Sequence, residues 1–388
     1  MSLSNDPHPV VHFWALNALA RVIDAASLSY AQLVSKTLGM LLKIYLMPSH
    51  EREGGTTVNY ANLGGECPAY PVVCQIIDAL INVLGPDIRD SSRTRELVLG
   101  LVREFMEEED EGICVEAIKC IQHFLMFAPE HINTSQTVKL FRQHLISPRR
   151  PLKLASINAL YQLVQKDALA MSKIGGDRLV EELFGMLDDD YSSVQGVRNV
   201  IESWLKQTVV YNPSAWIDLC QRIMSRTTAS QQVVDAANRQ GGAGGGLKDD
   251  EGESLNVGGA DSSSSTSAAG GARALGTSRW RTQLFALRCL HNICTIVAGS
   301  GRREQLDAIF ARTQGVQVKG LLFTRVSDLI RMAFTASTAY VTEIRLEGLV
   351  VLRDIIEVSI KICDDSMALT FLWVLVGVDI CLVARSCV

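Results

Sequence analysis

Seven times along this chain the same short pattern recurs inside a stretch of helical periodicity: a small or short-branched residue, two variable positions, a second such residue, then an aliphatic one. The copies are Ala15, Ala18 and Leu19; Ile76, Ala79 and Leu80; Ala117, Cys120 and Ile121; Ser156, Ala159 and Leu160; Val197, Val200 and Ile201; Ala286, Cys289 and Leu290; and Gly348, Val351 and Leu352. Four consecutive anchors, Ala79, Cys120, Ala159 and Val200, lie 41, 39 and 41 residues apart. A period of that length holds two helices and their turns, a unit that cannot bury its apolar face alone and must stack on its neighbours. The chain is therefore constrained to an array of helical hairpins.

Periodicity agrees with this almost everywhere. In Val10–Ala25 the apolar set Val11, Trp14, Ala15, Ala18, Leu19, Val22 and Ile23 recurs at three and four residues, which predicts one stripe on an amphipathic helix facing the core. The same spacing predicts helices over Val72–Leu84, Leu97–Phe105, Cys114–Met126, Leu152–Val164, Val194–Leu205, Trp280–Val297 and Ile344–Val358, and strand-like alternation is nearly absent. Small anchors suit stacked helices, because Ala, Ser, Cys or Gly leaves room for a facing backbone. Asp6-Pro7-His8-Pro9, Glu109-Asp110-Glu111-Gly112, Ser147-Pro148 and Asp188-Asp189-Asp190 place capping residues or proline at helix entries. The fold expected is all-α, a HEAT/armadillo-type helical-hairpin solenoid of six to seven hairpins.

Two wide gaps interrupt the period. Ser49–Pro68 is polar and glycine-containing and reads as a loop, while Ala236–Ser278, with its glycine run at 241–246 and four serines at 262–265, reads as a disordered linker that cannot bury enough apolar surface to offset chain ordering. The expected organisation is an N-terminal HEAT-repeat block, 1–235, the linker, 236–278, a C-terminal HEAT-repeat block, 279–362, and an atypical hydrophobic tail, 363–388. Within the tail, Ala368–Ala384 is apolar but for Asp379 and falls just short of the usual length for spanning a bilayer.

Composition excludes the easiest partners. With 37 Lys+Arg against 42 Asp+Glu the formal charge is −5, so no overall basic field draws nucleic acid or an anionic membrane. Ten cysteines form no C-x-x-C pair and mostly fall inside apolar helices, the pattern of buried thiols in a reducing compartment. The polar N-terminus lacks a secretory layout, so the sequon Asn133-Thr134-Ser135 is expected to go unused. His8 and His12 have the spacing of two zinc ligands, but a third ligand is missing nearby and His8 sits among prolines; no metal is assigned. The glycine run fits no dinucleotide fingerprint, no phosphate-binding loop or serine elbow occurs, and the seven histidines sit in helices or at their ends without a paired nucleophile nearby in sequence. No catalytic residue and no cofactor are expected, and the protein is read as a non-enzyme. The acidic run Glu107–Glu111 and the basic turn Pro148–Lys153 read as solvated turns rather than docking patches.

Several stretches go beyond a generic repeat. Trp14–Asp24, Met126–Asn133, Leu183–Leu187 and Val326–Phe334 resemble the HEAT repeat-containing protein 5 family in residues, order and spacing, and the resemblance continues through Arg279-Trp280 and Ile344–Leu349 to cover most of residues 3–358 outside the linker. Members of that family are very long cytosolic solenoids, so this chain resembles an internal segment, or a truncated gene model, whose end repeats lack a polar cap. The resemblance implies a scaffold in clathrin-adaptor-dependent vesicle traffic and endosome-to-Golgi retrieval, with clathrin adaptor complex subunits as partners, no nucleic acid and indirect membrane association. It implies a cytoplasmic location peripheral to trans-Golgi network and endosomal membranes, and brings no catalytic residues. From about Ser359 onward the sequence departs from the family pattern. In Asp328–Phe334, periodicity places Leu329, Ile330 and Phe334 inside and leaves Asp328 and Arg331 as a candidate partner surface. The alternative is a HEAT scaffold of another class, a phosphatase regulatory subunit or a nuclear transport carrier.

Overall fold

The computed structural model describes residues 3–45, 67, 69–108, 110–188, 193–241 and 279–362. All regular elements among them are helical: α1 Pro9–Ala26, α2 Val34–Tyr45, α3 Ala69–Leu84, α4 Ser92–Glu107, α5 Glu111–Phe127, α6 Thr134–Ile146, α7 Arg150–Ile174, α8 Gly176–Gly185, α9 Val194–Thr208, α10 Pro213–Gly241, α11 Trp280–Gly299, α12 Ala308–Thr313, α13 Val326–Ser337 and α14 Thr342–Ile362, with short 3-10 turns between some of them. This is the all-α helical-hairpin architecture the period requires. By contacts the chain divides into two compact units, Met1–Leu183 with Ser192–Gln207, and Phe184–Tyr191 with Thr208–Val388.

In the first unit α4 packs on α5 and α6 on α7, while α1, α3, α5 and α7 form a second layer in which each helix packs on the next. The seven anchors lie in α1, α3, α5, α7, α9, α11 and α14. Polar rungs join successive pairs. Gln75 donates to Glu116 at 3.4 Å, His123 to Asp78 at 2.6 Å, Lys166 to the Leu125 carbonyl at 3.1 Å, Arg142 to Glu182 at 2.9 Å and Gln165 to Ser203 at 2.7 Å. The partners in these bonds stand 41, 45, 41, 40 and 38 residues apart, so the repeat read from the anchors is also the repeat of the contacts.

The helices begin and end for local reasons. Asp110 caps α5 by accepting from Ile113 N at 3.0 Å, and Asn133, first residue of the sequon, caps α6 by accepting from Gln136 N at 3.2 Å. Helix α1 has Pro9 at its start and no side-chain cap, Asp6 accepting instead from His8 N. Helix α7 is two helices joined at Asp167, whose backbone leaves the helical region and whose carboxylate accepts from Ala170 N at 2.8 Å. Asp188, expected at the entry of α9, serves elsewhere: its carboxylate accepts from Thr282 N at 3.3 Å and from the Thr282 hydroxyl, capping the first turn of α11.

In the second unit α10 packs on α11, α11 on α14 and α13 on α14. The expected linker therefore joins two helices that pack together, and α10 runs six residues into it, through Ala236-Ala237-Asn238-Arg239-Gln240-Gly241. The compact units divide near 183 and 207. Residues 242–278, the expected loop Ser49–Pro68 but for Cys67, and the tail 363–388 lie outside the described residues.

The expected inner stripes need two corrections. In α1 the buried residues are His12, Leu16, Ala20 and Ile23, whereas Val11, Trp14, Ala18 and Val22 face solvent. In α13 the inner row is Leu329, Met332, Ala333 and Ala336; Ile330 is half-buried and Phe334 is 40% exposed. Helix α13 packs on α14 along one narrow row of period three and four, and Phe334, one residue past Ala333, falls off it. By length and composition the stretch Ala69–Arg89 could cross a membrane, but α3, which makes up most of it, is a core helix held between α1 and α5.

Candidate interaction surfaces

The candidate pair on α13 does different work at its two positions. Asp328 accepts from Arg325 Nε at 2.7 Å, and the same guanidinium donates to Asp218 at 2.6 Å and to the Ser214 hydroxyl at 2.5 Å, tying α13 to α10. These carboxylates, Asp218 foremost, hold the Arg325 guanidinium even more firmly protonated. Arg331, one turn on, is exposed. The structure thus makes Asp328 part of a buried-edge ion-pair cluster and leaves Arg331 on the surface.

Two surface depressions in the first unit have no counterpart in the sequence reading. Between α7 and α9 a polar hollow of about 310 Å³ is lined by Tyr161, Gln165, Asn199, Glu202 and Lys206, with Ser203 accepting from both Gln165 and Gln207. Between α4 and α6 a second hollow of about 310 Å³ has an apolar floor that includes Val102, Met106, Ile121 and Leu140, with Arg103 and Glu107 on its rim. Volumes at this low end suit single side chains of a partner rather than a whole cofactor. Polar residues at i, i+4 on the outward face of α9 were the only signal for the first; the second arises because α4 and α6 each pack on a deeper helix, with Ile121 of α5 as part of the floor.

Groups with reactive side chains are held in unreactive states. His123 donates to Asp78, and the Cys120 thiol lies against the same carboxylate, which has the outline of a thiol, imidazole and carboxylate constellation. Yet Cys120 is fully buried and donates to the Cys74 carbonyl at 3.7 Å; burial, with Asp78 beside it, pushes its thiol well up, so the nucleophilic thiolate does not form near neutrality. Burial pushes Cys220 and Cys294 up to about 12 in the same way. His291 donates to the buried Asp354, which also holds Arg353, and the Cys294 thiol near that carboxylate is one that burial pushes up. At His12, Nδ1 bonds the Ser4 carbonyl at 2.6 Å and so carries the proton, leaving Nε2 buried without a partner among the described residues; burial lowers its basicity. No group of three or more His, Cys, Asp or Glu able to hold a metal occurs among the described residues.

Stacked helical pairs, cross-repeat rungs at about 40 residues and broad shallow surfaces define the class: an all-α HEAT-type scaffold. Residues 321–372, which include α13 and α14, match the family model described as the Laa1/Sip1/HEATR5 HEAT repeat region. Protein SWEETIE of Arabidopsis thaliana is 25% identical over 359 residues, an alignment covering 91% of this chain and 15% of that protein. These two matches bear out the resemblance to the HEAT repeat-containing protein 5 family, and the chain spans 15% of the length of that relative. Among solved structures, an engineered protein of known crystal structure superposes with a TM-score of 0.36 and 12% identity over 91% of this chain and 97% of that one, a likeness that carries no argument.

Proposed function

We propose that the chain is a non-enzymatic scaffold segment that binds clathrin adaptor complex subunits and supports endosome-to-Golgi retrograde transport, endocytosis and protein localisation. It works in the cytoplasm, peripheral to trans-Golgi network and endosomal membranes. The match of residues 321–372 to the Laa1/Sip1/HEATR5 HEAT repeat region carries this reading, since Val326–Phe334, one of the stretches of resemblance, lies within it. The physics of the fold supports a binding role: a hairpin array offers long surfaces on which many shallow contacts add up.

Affinity capture from cytosol on the full chain, read by mass spectrometry, tests the proposal. Enrichment of clathrin adaptor subunits is the expected result, weakened by Arg331→Glu if α13 contributes to the surface. Retention of phosphatase subunits or nuclear transport factors with adaptors absent would overturn it.

A further inference from the structure

The turn between α6 and α7 carries a sequence that packing does not require. It reads Ile146-Ser147-Pro148-Arg149-Arg150-Pro151, and Ser147-Pro148 is the only Ser-Pro or Thr-Pro step in all 388 residues. Arginine follows the serine at both the second and the third position. Stacking explains little of this: Leu145 and Leu152, on either side, are buried, while Ile146 is 79% exposed and Pro148, Arg149, Arg150 and Pro151 all face solvent. Proline at 148 would by itself stop α6. The serine before it and the paired cations after it add nothing to that stop.

The backbone here already has the extended form that a group-transfer enzyme grips. Ser147 (φ −60°, ψ 142°) and Arg149 (φ −77°, ψ 103°) are both extended, and the ring of Pro148 fixes the residue between them. The stretch is lightly held. Ser147 N donates to the His144 carbonyl at 3.2 Å, and Arg149 N donates to the Ser147 hydroxyl at 3.2 Å. A hydroxyl oxygen has two lone pairs, and the Arg149 N–H takes one, which leaves the second for attack on an electrophile. Ser92, which has Arg89 three residues before it, lacks this setting: it lies in the first turn of α4, and the Arg89 guanidinium is bonded to the Phe127 carbonyl.

We propose that Ser147 is a phosphorylation site for a proline-directed serine/threonine kinase that also reads a cation three residues after the acceptor. In the transfer, Ser147 Oγ bonds to the γ-phosphorus of a nucleoside triphosphate, the bond from that phosphorus to the β,γ-bridging oxygen breaks, and nucleoside diphosphate leaves. The hydroxyl proton passes to a carboxylate of the kinase. Pro148 suits a pocket that offers no hydrogen-bond acceptor, because proline has no N–H to leave unpaired there. Arg150, exposed at the first position of α7, presents its guanidinium to an acidic pocket. The product also suits its surroundings. A phosphoserine of charge about −1.5 to −2 stands just before Arg149 and Arg150 and the start of α7, which has no side-chain cap. The formal charge of residues 147–153 falls from three positive to about one, so the modification switches the charge of that turn.

The test is incubation of the full 388-residue chain with a cyclin-dependent kinase and ATP, beside a synthetic peptide of residues 141–153, with the phosphate located by mass spectrometry. One phosphate is expected, on Ser147, with a kcat/KM within roughly tenfold of the peptide's, because only the exposed Ile146 has to leave α6 for the turn to be seated. Arg150→Ala is expected to lower kcat/KM by roughly tenfold and Pro148→Ala by more, while Ser147→Ala takes up no phosphate. A labelled peptide beside an unlabelled chain would overturn the proposal, since the folded turn would then be closed to the kinase. Absence of label on both would overturn it equally, because the residues themselves would not be read. So would label that persists in Ser147→Ala, or label indifferent to both Pro148→Ala and Arg150→Ala. Pro148 and Arg150 are exposed, and unchanged circular dichroism of the variants identifies loss of label as loss of recognition.

Discussion

At the scale of single residues, the sign of an effect depends on what the neighbouring helix presents. Gly348 lies where α14 crosses α13, and a Cβ there would stand 2.7 Å from Ser337 N and 3.0 Å from the Ala333 carbonyl oxygen. Helix propensity alone favours Gly→Ala by about 1 kcal/mol, but overpacking against backbone costs about 1–3 kcal/mol. Gly348→Ala is therefore expected to destabilise the protein in urea unfolding, whereas Gly100→Ala, with open space around it, should stabilise it. Ala159→Asp places a carboxylate at a fully buried anchor and is expected to cost about 3–5 kcal/mol. His12 adds a dependence on pH. Burial lowers its basicity in the folded state, and that of His144 likewise, so the unfolded chain binds their protons more readily. Their contribution is complete above the ordinary histidine value of about 6.5 and is lost as pH falls below it. Melting temperature should drop between neutral and mildly acidic pH, and His12→Asn, which keeps a donor for the Ser4 carbonyl, should make that drop shallower.

At the scale of elements, stability between helices is shared by apolar rows and polar rungs, and the two differ in how well a sequence shows them. Arg325 is the clearest rung in the second unit, with separate bonds to Asp218, Ser214 and Asp328. Arg325→Met should cost about 1–2 kcal/mol, less than a buried pair because Asp218 is nearly half exposed. Arg325→Lys should recover only part of it, since an ammonium cannot reproduce the planar fork; equal stability of lysine and arginine at this site would contradict the geometry. The rows were legible in advance because burial follows period: every anchor from Ala79 to Val351 is buried as the pattern demands. The α1 stripe has the same pattern yet is exposed, because a stripe records what could be covered and not what is. Phe334 escaped for a related reason, as hydrophobicity does not reveal how narrow a row the partner covers. The rungs, such as His123 with Asp78, were illegible, since each joins residues about 40 positions apart that no local spacing relates. The hollows between α4 and α6 and between α7 and α9 were hidden in the same way.

At the scale of the whole molecule, residues 242–278 separate two helices of the second unit in sequence. Helices α10 and α11 pack on each other, so the two ends of that stretch are brought together. A hairpin turn in such arrays normally takes a few residues, and closing a longer one costs entropy that grows only with the logarithm of its length. Replacing 242–278 by about a dozen flexible residues should therefore stabilise the fold by about 1 kcal/mol, through the unfolded state alone. Ellipticity summed over the helices should stay the same, because α10 is described to Gly241 and α11 begins at Trp280, on either side of the replaced segment. Circular dichroism and urea unfolding of the shortened chain check both parts. A loss of helicity or stability would mean that the segment makes contacts of its own with the array, and the hairpin would then have to be redrawn to include it.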